Sequence, residues 1–398
     1  MLQTTLNRNL DFIYYNFFLN NQSDTESINA VIIQENKEPI IDEQSNYQMG
    51  LIKFSLPLSS VPIFIYLDNG LSADDPNYLS DYWLGFSLGA GNTNVKEVNL
   101  KLTPYNELPN SDIRSRFIYY YSQMLSIVNK AFEEAWGQVI ADAAYTPILN
   151  ATGNNNASYY PYFMNQDENQ FFTLVLPCGS IANPADYISA CPFSTDKTTT
   201  GINILMSSTL YRFFSGFPLQ KYYNFTTIGQ NLTRQMMIKV NQENVVAKQL
   251  NVGTLAVAPN DTMQRRFVVE VKQDFPCNYL WQDIKRIIFT TTTMPINYES
   301  FAVSTQGLPY KQLIISDYDI PIDRYPNQKD LLQYNTDVPR WINFTGVGPL
   351  KMVDVKVYFQ DNRLNIYELM LQPHEDFLMK LQFKRRKERT QLENVKSK

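Results

Sequence analysis

The chain alternates between short apolar stretches and turn residues almost from its start. The run Asp11-Phe12-Ile13-Tyr14-Tyr15-Asn16-Phe17-Phe18-Leu19 is aromatic, apolar and closed by Asn20-Asn21, which predicts a strand. After a polar stretch at 22–26, Ala30-Val31-Ile32-Ile33 is the next apolar run, and residues 50–56 alternate polar with apolar as a half-buried strand does. Residues 61–67, with Pro62 at a strand start or edge, and 95–102 continue the series. One segment departs from it. Between 111 and 143 there is no proline, and Ile113, Phe117, Tyr121, Leu125, Val128, Phe132, Trp136 and Val139 recur at steps of three and four. That period predicts a long helix, with Asn110 or Ser111 as its N-cap. A shorter helix is predicted over 207–215, ending at Gly216. Loop chemistry dominates 150–157 and 178–201, around a strand at 171–176. Past 235, strands return at 236–240, 266–272, 284–290, 312–316, 353–359, 365–371 and 377–383. The triplet Gln360-Asp361-Asn362 reads as a hairpin turn. Many short strands with turns between them predict a mainly β sandwich or barrel, and the lack of βα alternation excludes a doubly wound sheet. The expected organisation is N-terminal sandwich strands over 1–105, a helix- and loop-rich insertion over 106–234, C-terminal strands over 235–383, and a basic flexible tail over 384–398.

Composition narrows the function. Only 18% of residues are charged, against about 25% in a typical domain, while 14% are aromatic. Apolar area is ample for folding, so the chain is not disordered. A surface of neutral polar groups and ring edges suits buried assembly contacts. The net charge of −5 gives no general nucleic-acid footprint. The exception is the end of the chain, where Lys384, Arg385, Arg386, Lys387 and Arg389 cluster. This cluster either solvates a chain end or neutralises nucleic-acid phosphates.

Catalytic chemistry is hard to find. His374 is the one histidine, in a turn between predicted strands, so triad and cysteine–histidine mechanisms have a single candidate base. Gly89-Ala90-Gly91 lacks the third glycine and the lysine of a phosphate loop and reads as a hairpin tip. Asp74-Asp75 resembles no calcium loop, Glu133-Glu134 fall on the polar side of the helix, and Asp317 and Asp319 sit in an expected loop. The three cysteines, Cys178, Cys191 and Cys277, lack zinc-ligand spacing and read as reduced thiols. No catalytic residue, metal or cofactor is expected. No signal peptide is visible, and no apolar window is long enough to span a membrane. The stripe Phe117, Tyr121, Phe132 and Trp136 is either core or a helix face used between subunits. Two other classes stay open: a carbohydrate-binding attachment protein using Trp83, Trp281 or Trp341, and a hydrolase using Asp317 and Asp319.

Three blocks carry a resemblance. They are Asn46-Tyr47-Gln48-Met49-Gly50-Leu51-Ile52-Lys53-Phe54 with Val61-Pro62-Ile63-Phe64-Ile65, Ile204-Leu205-Met206-Ser207-Ser208-Thr209-Leu210 before Phe213-Phe214, and Gly348-Pro349-Leu350-Lys351-Met352 through Asp361. Beyond the last block lie Leu371, Pro373 and the run from Phe377 into Lys384-Arg385-Arg386. Together they resemble structural proteins of polinton-like, adintovirus-like and virophage-like DNA viruses. The resemblance implies a jelly-roll sandwich with a helix-containing insertion, or a double jelly roll as the alternative. It implies a penton-like or minor capsid subunit of an icosahedral virion, or else a major capsid protein. The partners implied are further copies of the chain (a pentamer, or a trimer as the alternative), other capsid proteins, and packaged nucleic acid at the C-terminal cluster. Synthesis would take place in the host cytoplasm or nucleus, without secretion. The stretches 153–158 and 186–201 would be outer loops.

Overall fold

The computed structural model describes residues 11–386 except 70, 73, 90–92, 103–112, 167–170, 180–190, 194–200, 229–230, 241–244, 250–266, 278–280, 282, 302–309 and 321–330. The chain opens with β1 (Phe12–Asn20), β2 (Ile28–Asn29), β3 (Val31–Glu35) and β4 (Tyr47–Pro57). It continues through β5 (Phe64–Ile65), β6 (Trp83–Leu88), β7 (Thr93–Asn99), β8 (Phe117–Ile118), α1 (Tyr121–Ala141) and α2 (Thr146–Thr152). Next come β9 (Tyr162–Gln166), β10 (Phe171–Pro177), β11 (Ile202–Ser207), α3 (Ser208–Phe213), β12 (Leu219–Ile228), β13 (Asn231–Ile238), β14 (Val245–Gln249) and β15 (Phe267–Lys272). The last part holds β16 (Ile284–Thr291), β17 (Glu299–Phe301), β18 (Tyr310–Asp319), β19 (Leu331–Asn335), β20 (Ile342–Asn343), β21 (Met352–Asp361), β22 (Ile366–Glu368), β23 (Met370–Leu371) and β24 (Asp376–Arg385). Two compact units form, one from Met1–Pro62 with Asp283–Lys398, the other from Ile63–Gln282.

The first unit is built by alternation. Along β24, Phe377, Met379, Leu381 and Phe383 are buried, while the residues between them face outward. Val353, Val355, Val357 and Phe359 are buried in the same way on β21, with Lys356 and Tyr358 half-buried between them. The two sheets close over rings: Phe54 meets Phe289 and Tyr318 at 4.9 Å each. One sheet runs β1-β24-β4-β19; the other contains β3-β21-β16-β18. Eight strands in this order, with every neighbour antiparallel, are a jelly roll. The second unit is inserted between its third strand, β4, and its fourth, β16.

A polar clamp fixes the loop after β16. Asp354, on β21, is fully buried. Its carboxylate accepts hydrogen bonds from the Thr291 hydroxyl, the Thr292 N–H and hydroxyl (2.8 and 2.7 Å) and the Thr293 N–H and hydroxyl (2.9 and 2.6 Å). Burial alone would raise this carboxyl. The bonds from Thr291, Thr292 and Thr293 outweigh burial and hold it below the ordinary aspartate value.

The second unit has sheets β14-β15-β10-β9 and β12-β13-β11-β6-β7, an order that does not repeat the jelly roll. Its helix is shorter than the apolar period predicts. Residues Ile113–Arg116 form a 3-10 turn, and Phe117–Ile118 go extended to pair with Phe64–Ile65. The helix therefore starts at Tyr121, with Tyr120 in extended geometry before it. The expected cap residues, 110 and 111, lie outside the described residues. The predicted short helix is present as α3, and the Ser207 hydroxyl caps it by accepting from the Leu210 N–H. Gly89 begins the predicted hairpin tip between β6 and β7, at φ 61°. Beside it on β6, Gly85 is obligatory, because a β-carbon there would sit 2.3 Å from the Lys96 carbonyl oxygen.

Two sequence expectations are corrected. The insertion is not 106–234 but 63–282: β6 pairs with β11 and β7, and β15 pairs with β10 and β14, rather than with sandwich strands. The stripe Phe117, Tyr121, Phe132 and Trp136 is not a subunit-contact face, because all four side chains are buried in the core of their own unit. Trp136 packs on Phe86 and Phe193 and donates to the Asn156 carbonyl.

Candidate assembly surfaces

The features most suited to contact lie on the outward side of the β1-β24-β4-β19 sheet. Strand β1 is its edge, laid along β24. Its inward residue Phe17 is buried, whereas Phe12, Tyr14 and Phe18 are 44, 53 and 60% exposed. The register sets Phe12 opposite Lys384, Tyr14 opposite Gln382, Asn16 opposite Lys380 and Phe18 opposite Leu378. Lysines and rings therefore interleave. The Lys380 ammonium stands 5.0 Å from the Tyr14 ring centre. That of Lys384 stands 5.9 Å from Phe12 and 5.2 Å from Trp341. Each such contact is worth about 0.5–1 kcal/mol at an exposed site. It orders the lysine without burying its charge. Fully covering a phenylalanine side chain is worth about 1.5–3 kcal/mol, so three half-open rings on one edge favour occlusion by a partner.

The basic cluster lies at one end of the same sheet. Lys384 and Arg385 are the last residues of β24. The Arg385 N–H donates to the Asp11 carbonyl at 2.9 Å, and the Arg386 N–H to that of Asn46 at 2.8 Å. This corrects the expectation of a flexible tail from 384: the first three cationic residues belong to the sheet margin. Lys387 and Arg389 lie outside the described residues. Asp11 and Arg386, the two ends of the described chain, thus lie at the same end of this sheet. The chain departs for the inserted unit at the other end of the β4–β24 ladder, where the Gln372 N–H donates to the Ser60 hydroxyl at 3.0 Å.

The remaining sequence candidates are dispersed. Trp83 and Trp281 are buried and cannot stack on a sugar, whereas Trp341 is half-buried beneath Lys384. His374 is exposed in a left-handed turn, 3.3 Å from Asp24. Asp317 and Asp319 lie on β18 rather than in a loop. Arg286 holds both, at 2.9 and 3.3 Å, and Arg340 adds a 3.7 Å contact to Asp317. All three cysteines are free and buried. Among the described residues there is no cluster of metal-ligating side chains, and no helix is long and apolar enough to cross a membrane. Residues 153–158 follow α2, with Ser158 exposed, and 186–201 fall mostly outside the described residues. What the sequence reading missed is the outward face of β1. Its signal was present in the spacing of Phe12, Tyr14 and Phe18 against Lys380, Gln382 and Lys384.

Comparison with known proteins bears on this arrangement. A model of the family described as Sputnik minor capsid protein V18/19 matches residues 13–385. The structural protein V19 of Sputnik virophage is 28% identical over 119 residues, which is 29% of this chain and 55% of that protein. The match thus spans about half the length of this curated relative. Among solved structures, a chain of the Sputnik virophage cryo-EM structure superposes with a TM-score of 0.66 at 20% identity, covering 94% of this chain and 98% of that one. The mavirus penton protein superposes with a TM-score of 0.55 at 13% identity, covering 94% and 99%. At these identities the structural likeness is one of fold.

Proposed function

Because the chain belongs to the Sputnik minor capsid protein V18/19 family, and is thus a structural protein of a viral capsid with its place in the virion, we propose that it is a vertex subunit forming a ring of five. One observation carries this reading: among the described residues the chain forms one jelly roll, with the inserted unit between its third and fourth strands. A single sandwich with an aromatic flank on one side can close into a ring through heterologous contacts. A major capsid subunit of the double jelly-roll type would instead supply two such sandwiches. The likeness of fold to the mavirus penton protein supports the same reading. Native mass measurement of the purified protein tests it. A pentamer is expected; a stable trimer would favour the major-capsid role, and a monomer at high concentration would overturn the ring.

The cationic end formed by Lys384, Arg385 and Arg386 is proposed to face packaged nucleic acid, since it gathers positive charge on a chain of net charge −5. Lys387 and Arg389 would extend it. In a DNA-binding titration, Lys384→Ala with Arg385→Ala should lower the salt slope by about one for each phosphate no longer neutralised. An unchanged slope would remove this role.

A further inference from the structure

The two outward faces of the jelly roll differ in charge. On the β1-β24-β4-β19 side, the outward positions among the described residues hold Lys53, Lys380 and Lys384 against a single carboxylate, Asp376, at the end of β24. On the side formed by β3, β21, β16, β18 and β22, the outward positions hold Glu35, Asp317, Asp319 and Glu368 against Lys285, Lys356 and Arg286, with Arg340 also reaching Asp317. Arg286 is already engaged by Asp317 and Asp319. Exposed apolar groups accompany both sets, Phe18 on the first face and Ile33, 62% exposed, on the second.

The first face also holds a conflict that folding leaves standing. Lys380 is directly opposite Lys53 on the neighbouring strand. Like charges in that position repel, and a carboxylate brought from outside would turn the repulsion into attraction.

We propose that copies of this chain stack face to face, the lysine–aromatic side of one jelly roll against the carboxylate-bearing side of the next. The contact is heterologous, as ring closure requires, and it rests on the ring reading above. Lys53 and Lys380 meet Glu35 and Glu368 of the neighbour, while Phe12, Tyr14 and Phe18 are covered together with Ile33.

Charge reversal tests this with the full chain. Lys53→Glu with Lys380→Glu should weaken self-association at least about a hundredfold, since like charges across an interface cost several kcal/mol. Glu35→Lys with Glu368→Lys should do the same. Combining all four substitutions restores complementarity, and the quadruple variant should assemble again. Folding is checked by circular dichroism, and Phe18→Ser supplies a neutral variant that should also weaken assembly. Rising salt should shift the wild type toward monomer. If the wild type assembles but the paired reversals leave assembly intact, or affect only DNA binding, this interface is wrong while the capsid-ring reading stands. A folded quadruple variant that stays monomeric would also overturn the interface. A wild type that never assembles would remove the ring and the interface together.

Discussion

Replacing Asp354 by alanine should be among the most damaging single changes in the jelly-roll unit. The side chain is fully buried and takes five hydrogen bonds from three consecutive threonines. Three of the donors are hydroxyls, which can rotate toward other acceptors. The two backbone N–H groups, of Thr292 and Thr293, cannot. An orphaned buried donor costs about 1–3 kcal/mol, so two of them, without the charge assistance of the carboxylate, give about 4 kcal/mol for Asp354→Ala. A cooperative unit of this size drops about 2–4 °C of Tm per kcal/mol, hence about 8–16 °C. Asp354→Asn keeps one acceptor oxygen but turns an amide toward Thr292, and about half that destabilisation is expected. The acid dependence has a definite sign. The folded carboxyl titrates below its unfolded value, so its stabilisation is present above the unfolded value, about 3.9, and fades as pH falls through the lower folded one. The gap between wild type and Asp354→Asn should therefore be full near neutrality and narrow below about pH 4. Calorimetry or circular-dichroism melts across this range provide the assay. An alanine variant melting within about 2 °C of wild type, or an asparagine variant as unstable as the alanine one, would refute the account.

Three further outcomes follow from the inserted unit. Trp281 packs among Phe64, Tyr121, Phe172, Phe213 and Phe214 and donates to the Phe213 carbonyl. Trp281→Ala should cost about 3–5 kcal/mol, read as a lower urea midpoint; a midpoint equal to wild type would contradict that packing. Gly85→Ala should cost about 1–3 kcal/mol by pushing β6 from β7, and an undiminished melting temperature would show that the hairpin has slack. Burial pushes the Cys277 thiol up, and all three thiols are enclosed. Ellman's reagent should therefore leave them unmodified in the native protein and titrate them after denaturation; rapid native labelling would place one of them at the surface.

Local structure was largely legible. The alternation in 353–359 and the apolar run at 377–383 announced β21 and β24, and the short helix expected over 207–215 is present as α3. Long-range pairing was not legible. The strand predicted over 266–272 reads like its neighbours on either side, and the one at 83–88 is absent from the sequence reading; only their partners assign both to the inserted unit. The helix was overextended because Ile113 and Phe117 happen to continue a helical period, while tertiary pairing draws Phe117–Ile118 into a strand with Phe64–Ile65. The stripe on α1 could serve a core or an interface equally well from its spacing. The choice depended on Phe86, Phe163 and Phe193, residues distant in sequence that cover it. The outward face of β1 was overlooked because an aromatic strand reads as buried until its partner strand is known.

The position of β24 constrains when this protein can begin to act. It lies between β1 and β4, two strands translated far earlier, and it is the last strand of the jelly roll to leave the ribosome. Until then β1 has no neighbour in its sheet, so neither the lysine–aromatic flank nor the cationic margin exists on a nascent chain. The inserted unit is continuous in sequence and can fold while synthesis proceeds, whereas the sandwich, with its most distant contacts, closes last. Chains cut short in translation before β24 would thus lack the proposed contact face altogether.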